Sequence, residues 1–138
     1  MTASRSGVAV PQHLLGSSVT VLDADFFNQG GFGGFTLTGT GLASDLRSEF
    51  VTGLLIAPDT RIRPVVSGWA ASTAGGGFTL GRVTKEEGVR SPASLTFNAS
   101  GGINVFAGEI LGRGDVVLSE GASVQTDAGG KVSFNGDT

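Results

Sequence analysis

Short runs in which apolar and small polar residues alternate recur along the chain, separated by glycine. They include Val19-Thr20-Val21-Leu22, Phe35-Thr36-Leu37, Phe50-Val51-Thr52, Phe78-Thr79-Leu80 and Leu95-Thr96-Phe97. Ile103-Asn104-Val105-Phe106, Val116-Val117-Leu118, Val124-Gln125-Thr126 and Val132-Ser133-Phe134 continue the series. Alternation with period two predicts strands buried on one face. Helical spacing is confined to Leu42–Phe50, where Leu42, Leu46 and Phe50 stand four apart, and to Thr84–Glu87, which has capping-box spacing. Either segment reads equally as a loop, so the class is all-β.

The separators bear on architecture. Sandwich strands are usually joined by Asn-Gly or Asp-Gly hairpin turns, and Asn135-Gly136 alone offers one. From Gly114 onward three strand-sized runs follow one another at intervals of about eight residues, with glycine or small polar residues between them. Three short strands per turn predict a triangular parallel β-helix with coils of roughly 20 residues. Gly34-Phe35-Thr36-Leu37 recurs as Gly77-Phe78-Thr79-Leu80, each after a glycine cluster, which predicts that the two segments stack on one face. The expected inward ladder comprises Phe35, Leu37, Phe78, Leu80, Leu95, Phe97, Ile103, Val105, Val116, Leu118, Val132 and Phe134. On this reading residues 1–18 are an N-terminal tail or cap, and 19–138 are β-helix coils joined by short irregular loops.

Composition fits that picture. Glycine supplies 24 of 138 residues while proline supplies only 4, which excludes collagen and argues against disorder. The net charge of −3 and the scatter of Lys and Arg leave no basic patch for nucleic acid. With no cysteine there is neither a disulfide framework nor a thiolate metal site. No stretch approaches the ~20 apolar residues of a membrane span, and Met1–Gly16 has no signal-peptide apolar run. Export, if it occurs, is therefore expected to depend on a longer parent polypeptide.

The stretch from Leu22 through Asp23-Ala24-Asp25-Phe26-Phe27-Asn28-Gln29-Gly30-Gly31-Phe32-Gly33-Gly34 to Phe35-Thr36-Leu37, with its echo at Gly77, resembles the filamentous haemagglutinin family. These are large exoproteins exported by two-partner secretion, and the likeness is to their glycine-rich shaft, over Leu22–Leu37 and Ser94–Gly136. The family's secretion-domain motifs are not matched here. The resemblance implies a right-handed parallel β-helix, a secreted or cell-surface location, and a role in adhesion, aggregation or contact with other cells.

Candidate chemistry is sparse, and the chain is not expected to be an enzyme. His13, the single histidine, has no Ser or Cys nucleophile motif beside it. Asp23 and Asp25 are two apart and would share one face of a strand, about 7 Å from each other. That is within the range of paired carboxylates that cleave glycosidic bonds. The rival readings are thus a carbohydrate-active β-helix using Asp23 and Asp25, or a β-sandwich binding module. Neither a P-loop nor the calcium-binding nonapeptide occurs, so no metal and no cofactor is predicted.

Arg113-Gly114-Asp115 resembles the integrin-binding tripeptide, whose carboxylate completes a receptor's metal site. It also stands where a glycine corner would feed a strand. These three residues are the candidate receptor-binding set, and the partner classes expected are a cell-surface receptor or glycan and, end to end, the chain itself. Asn98-Ala99-Ser100 matches a glycosylation acceptor by coincidence of composition. Trp69 lies in a strand-like run and is expected to be buried rather than to stack on a sugar.

Overall fold

The computed structural model describes residues 2–4, 20–44, 49–101, 103–104, 109–110 and 114–136. The strands are β1 (Thr2–Ser4), β2 (Val21–Asp23), β3 (Gly34–Ser44), β4 (Glu49–Val51), β5 (Leu54–Ile56), β6 (Arg61–Ile62) and β7 (Gly68–Ser72). After them come β8 (Thr79–Val83), β9 (Ser94–Gly101), β10 (Ile103–Asn104), β11 (Glu109–Ile110), β12 (Val116–Leu118), β13 (Ser123–Val124) and β14 (Val132–Asn135). Helix among the described residues is limited to two 3-10 segments, Ala24–Asn28 and Ala74–Gly76. No helix there is long and apolar enough to cross a membrane.

Several small sheets result, and their principal pairings are parallel. One runs β12-β5-β1-β2, a second β13-β6, and a third β14-β9-β3, with β4 added antiparallel at the far end of β3. The eight-residue spacing near the C-terminus has a direct structural meaning. Val116, Val124 and Val132 sit on consecutive strands in three different sheets, opposite Leu54, Ile62 and Leu95 respectively. Thr2–Ser4, in the segment expected to be a tail or cap, forms the strand between β2 and β5.

Corner chemistry explains why the strands are short. Between β5 and β6, Pro58 presets a turn in which Thr60 N–H donates to Ala57 O and Asp59 takes φ 57°. Between β12 and β13, Ala122 N–H donates to Ser119 O while Gly121 takes φ 73°. The two turns lie one above the other, joined by Asp59 N–H donating to Glu120 O at 3.1 Å.

The core lies between these sheets. Phe27, Leu37, Leu54, Ile56, Ile62, Leu95, Phe97 and Ala99 form one buried cluster, with Leu22, Phe35, Val116, Val124 and Val132 packed against it. Each large side chain so buried contributes roughly 1.5–3 kcal/mol before conformational entropy is set against it. Alternation is visible in β9, where Leu95, Phe97 and Ala99 point inward and Thr96 and Asn98 do not. Close approach requires glycine at two positions: a Cβ on Gly53 would lie 2.8 Å from that of Ala99, and one on Gly39 would strike the Gly53 carbonyl oxygen.

Three expectations are corrected. Phe35 lies opposite Leu95, not Phe78, so the Gly-Phe-Thr-Leu echo is not a stacked repeat. Phe78 and Leu80 leave the inward ladder altogether: they belong to the antiparallel hairpin β7–β8 and are 77% and 64% exposed. The helical candidate Leu42–Phe50 falls instead partly on the antiparallel pair β3–β4: Leu42 on β3 lies opposite Val51 and Phe50 on β4 opposite Ala43, while Leu46 lies outside the described residues. Thr84–Glu87 leads into a turn closed by Val89 and Arg90 N–H groups on Glu86 O. Of the remaining ladder residues, Leu37, Leu95 and Phe97 are buried and Phe35, Val116 and Val132 half-buried, while Leu118 and Phe134 are part-exposed. Val105 lies outside the described residues, as does the environment of Ile103's side chain.

Candidate functional site

Among the described residues, the buried ion pairs gather at the turn before β14. The chain turns at Asp127–Gly130, with Gly130 N–H donating to Asp127 O and Gly129 at φ 90°. Between the strands that pair with β13 and β14 the chain makes a long excursion: it leaves after β6 near Arg63, forms β7–β8, and returns at Arg90 to enter β9. Asp127 meets both limbs. Its buried carboxylate accepts from Arg90 through Nε on Oδ2 and through Nη2 on Oδ1, the latter at 2.8 Å, and Arg63 Nη2 lies 3.5 Å from Oδ1. Arg63 also donates to Glu87 Oε2 at 2.9 Å.

The hydrogen bonds from Arg90, reinforced by the charges of Arg90 and Arg63, hold the Asp127 carboxyl below the usual carboxylate range against the opposing effect of burial. The same hydrogen bonds push the Arg90 guanidinium up. A carboxylate saturated by two guanidinium groups is a poor general base or nucleophile, and the cluster acts as a tie across the neck of the excursion.

Beyond that neck the hairpin is exposed along its whole length. Trp69 is 67% exposed, which corrects its expected burial. It sits directly opposite Arg82, whose guanidinium carbon lies 5.8 Å from the ring centre. Arg82 reaches back to Asn28 O at 3.5 Å. Between the hairpin base and the returning limb is a shallow cavity of about 280 Å³ lined by residues that include Val66, Val83, Lys85, Val89 and Ser91. Nothing in the sequence pattern separates this hairpin from a core strand, since Phe78-Thr79-Leu80 copies β3 residue for residue.

The sequence-predicted positions are dispersed. Asp23 closes β2 and caps the 3-10 segment, its Oδ1 accepting from Asp25 N–H at 3.1 Å, while Asp25 lies within that segment. The two therefore do not project together from one strand face, because the chain leaves the extended conformation at Ala24. The sequence shows the reason in hindsight: Asp is a preferred cap at a helix start. Gly114 is buried and Asp115 half-buried where the chain enters β12, and Asp115 O accepts from Leu54 N–H at 3.1 Å. Arg113 lies outside the described residues, as does His13. Asn98 is half-buried within β9, and its Oδ1 accepts from Asn135 Nδ2 at 2.7 Å. Comparison with family models, curated proteins and solved structures finds no match to the chain.

Proposed function

We propose that the chain is a short right-handed parallel β-helix serving as a rigid, non-catalytic scaffold segment of a secreted or cell-surface adhesin of the filamentous haemagglutinin kind. The observation that carries the reading is one of order. Strands β5, β6 and β9 occur in that sequence along the chain, and β12, β13 and β14 pair with them one for one, in parallel, around a common apolar interior. Two turns stacked through Asp59 and Glu120 support the same reading, as do the aligned Asn98–Asn135 pair and the Phe97–Phe134 pair.

A scaffold of this kind gains length by adding layers, and it offers partners its corners and excursions rather than a cleft. The adhesive part rests on the family resemblance and on the Arg113-Gly114-Asp115 tripeptide. Cell retention on surfaces coated with the chain tests it: retention above an albumin-coated control, reduced by Asp115→Ala, is expected. Retention no better than albumin would remove adhesion and leave the scaffold role alone. Backbone NMR contacts between Leu95 and Val132 and between Leu54 and Val116 test the stacked geometry in solution.

A further inference from the structure

The hairpin β7–β8 sorts its side chains by face. Directly opposed residues of an antiparallel pair share a face, so Trp69, Ala71, Leu80 and Arg82 stand on one side, and Gly68, Ala70, Ser72, Thr79, Gly81 and Val83 on the other. The two largest apolar side chains of the pair thus lie together with a guanidinium, and they are open to solvent. Trp69 is 67% and Leu80 64% exposed, and Phe78, just before β8, is 77% exposed. Exposed apolar groups gathered in this way mark a docking surface.

Charge is sorted as well. Residues 60–85 include Arg61, Arg63, Arg82 and Lys85 but no Asp, Glu, Asn or Gln, in a chain whose net charge is −3. The ion pairs among the described residues engage Arg63 and Arg90 and leave Arg82 and Lys85 without a carboxylate. The hydrogen bond from Arg82 goes to a neutral carbonyl, that of Asn28. From the Trp69–Arg82 pair onward to the turn, residues 70–81 hold no charged side chain, so the cations stand at the base of the hairpin and the apolar groups reach beyond them.

We infer that the Trp69–Leu80 side of the hairpin docks on a membrane surface that carries anionic lipid. Trp69, Phe78 and Leu80 enter the boundary between headgroups and acyl chains, while Arg82 and Lys85 meet lipid phosphates at the base. The backbone and the turn, whose polar groups need water, stay among the headgroups. The neck at Asp127 ties both limbs of the excursion, so the hairpin is presented on a fixed base. An exposed tryptophan also suits a sugar ring, but the hydroxyls around such a ring call for carboxylate and amide side chains, and residues 60–85 supply none. The hairpin binds lipid in this way whether or not the strands beneath it belong to an adhesin.

Trp69 is the single tryptophan, so its fluorescence reports the contact directly. When the full chain is titrated with phosphatidylcholine vesicles containing about 30% phosphatidylserine, the emission is expected to shift to the blue and to be quenched by brominated acyl chains. Vesicles of phosphatidylcholine alone are expected to bind at least about tenfold more weakly. Phe78→Ser with Leu80→Ser, and separately Arg82→Gln with Lys85→Gln, are each expected to weaken binding about tenfold, with circular dichroism unchanged because these side chains are exposed. No vesicle binding, binding without a blue shift, equal binding to phosphatidylcholine alone, or full binding by either double variant would each overturn the proposal. A blue shift with heparin but not with vesicles would overturn it too, and would assign the same residues to an acidic glycan.

Discussion

The ring of Phe134 lies on that of Phe97, 5.2 Å away and only 11° from coplanar, although 37 positions of sequence separate them. Phe97 is closed off by Leu37 in the next strand, while Phe134 has a strand neighbour on one side only among the described residues. The two rings should therefore differ in worth. Phe97→Ala is expected to cost about 3–5 kcal/mol and Phe134→Ala roughly half of that, read from urea unfolding followed by circular dichroism. Equal losses would contradict this difference in burial.

Gly39 and Gly77 make a second contrast. A methyl group on Gly39 would meet the Gly53 carbonyl oxygen, while one on Gly77 would meet nothing within 4 Å. Gly39→Ala should lower stability by about 1–3 kcal/mol, and Gly77→Ala should stay within about 0.5 kcal/mol of the parent. Paired denaturant curves decide the matter.

Asp127 gives the fold an acid limb. Its carboxyl titrates lower in the folded chain than in the unfolded one, so its stabilising contribution is complete above the unfolded value of about 4. That contribution is lost as pH falls through the depressed folded value. Asp127→Asn is expected to lower Tm at neutral pH and to flatten the dependence of Tm on pH below about 5. Glu87→Gln, which removes a half-exposed ion pair with Arg63, should do much less.

Thr60 is fully buried, and its Oγ1 has no hydrogen-bond partner among the described residues. Thr60→Val keeps the shape and removes the desolvated hydroxyl, so a gain of up to about 1 kcal/mol is expected. A loss of similar size in thermal unfolding would show that the hydroxyl is satisfied in solution.

Asp23 and Asp25 should separate in a stability assay rather than in a catalytic one. Asp23→Ala removes the cap on Ala24–Asn28 and is expected to cost about 0.5–2 kcal/mol. Asp25→Ala leaves that cap in place and should be close to neutral. Reducing-sugar release from acidic polysaccharide, abolished by either change, would revive the paired-carboxylate reading.

Strand positions were largely legible in the sequence, because alternation in runs such as Leu95-Thr96-Phe97 and Val132-Ser133-Phe134 is imposed directly by one-sided burial. Partners were not. A run records that one of its faces is apolar, and Phe78-Thr79-Leu80 is as apolar on that face as Phe35-Thr36-Leu37 while lying on an exposed hairpin. Leu54-Leu55-Ile56 escaped notice for the opposite reason: a continuous apolar run has no alternation to read, although Pro58-Asp59 behind it marks the turn. Scarcity of Asn-Gly also failed to exclude hairpins, since β7–β8 turns through a longer loop with Gly75 and Gly76 at positive φ. The neck around Asp127 was invisible because Arg63, Arg90 and Asp127 come from three separate stretches of chain.

Partners in the third sheet stand 60 positions apart between Thr36 and Thr96 but only 37 apart between Thr96 and Ser133, yet each strand meets its neighbour in the same phase. The difference is accommodated at corners, and the neck at Asp127 isolates one such detour from the strands it joins. Lengthening a detour of this kind costs only a slowly growing closure entropy. Foreign sequence grafted beyond Arg63 and before Arg90 could thus be carried without re-indexing the strands, which makes this corner a natural port for variation.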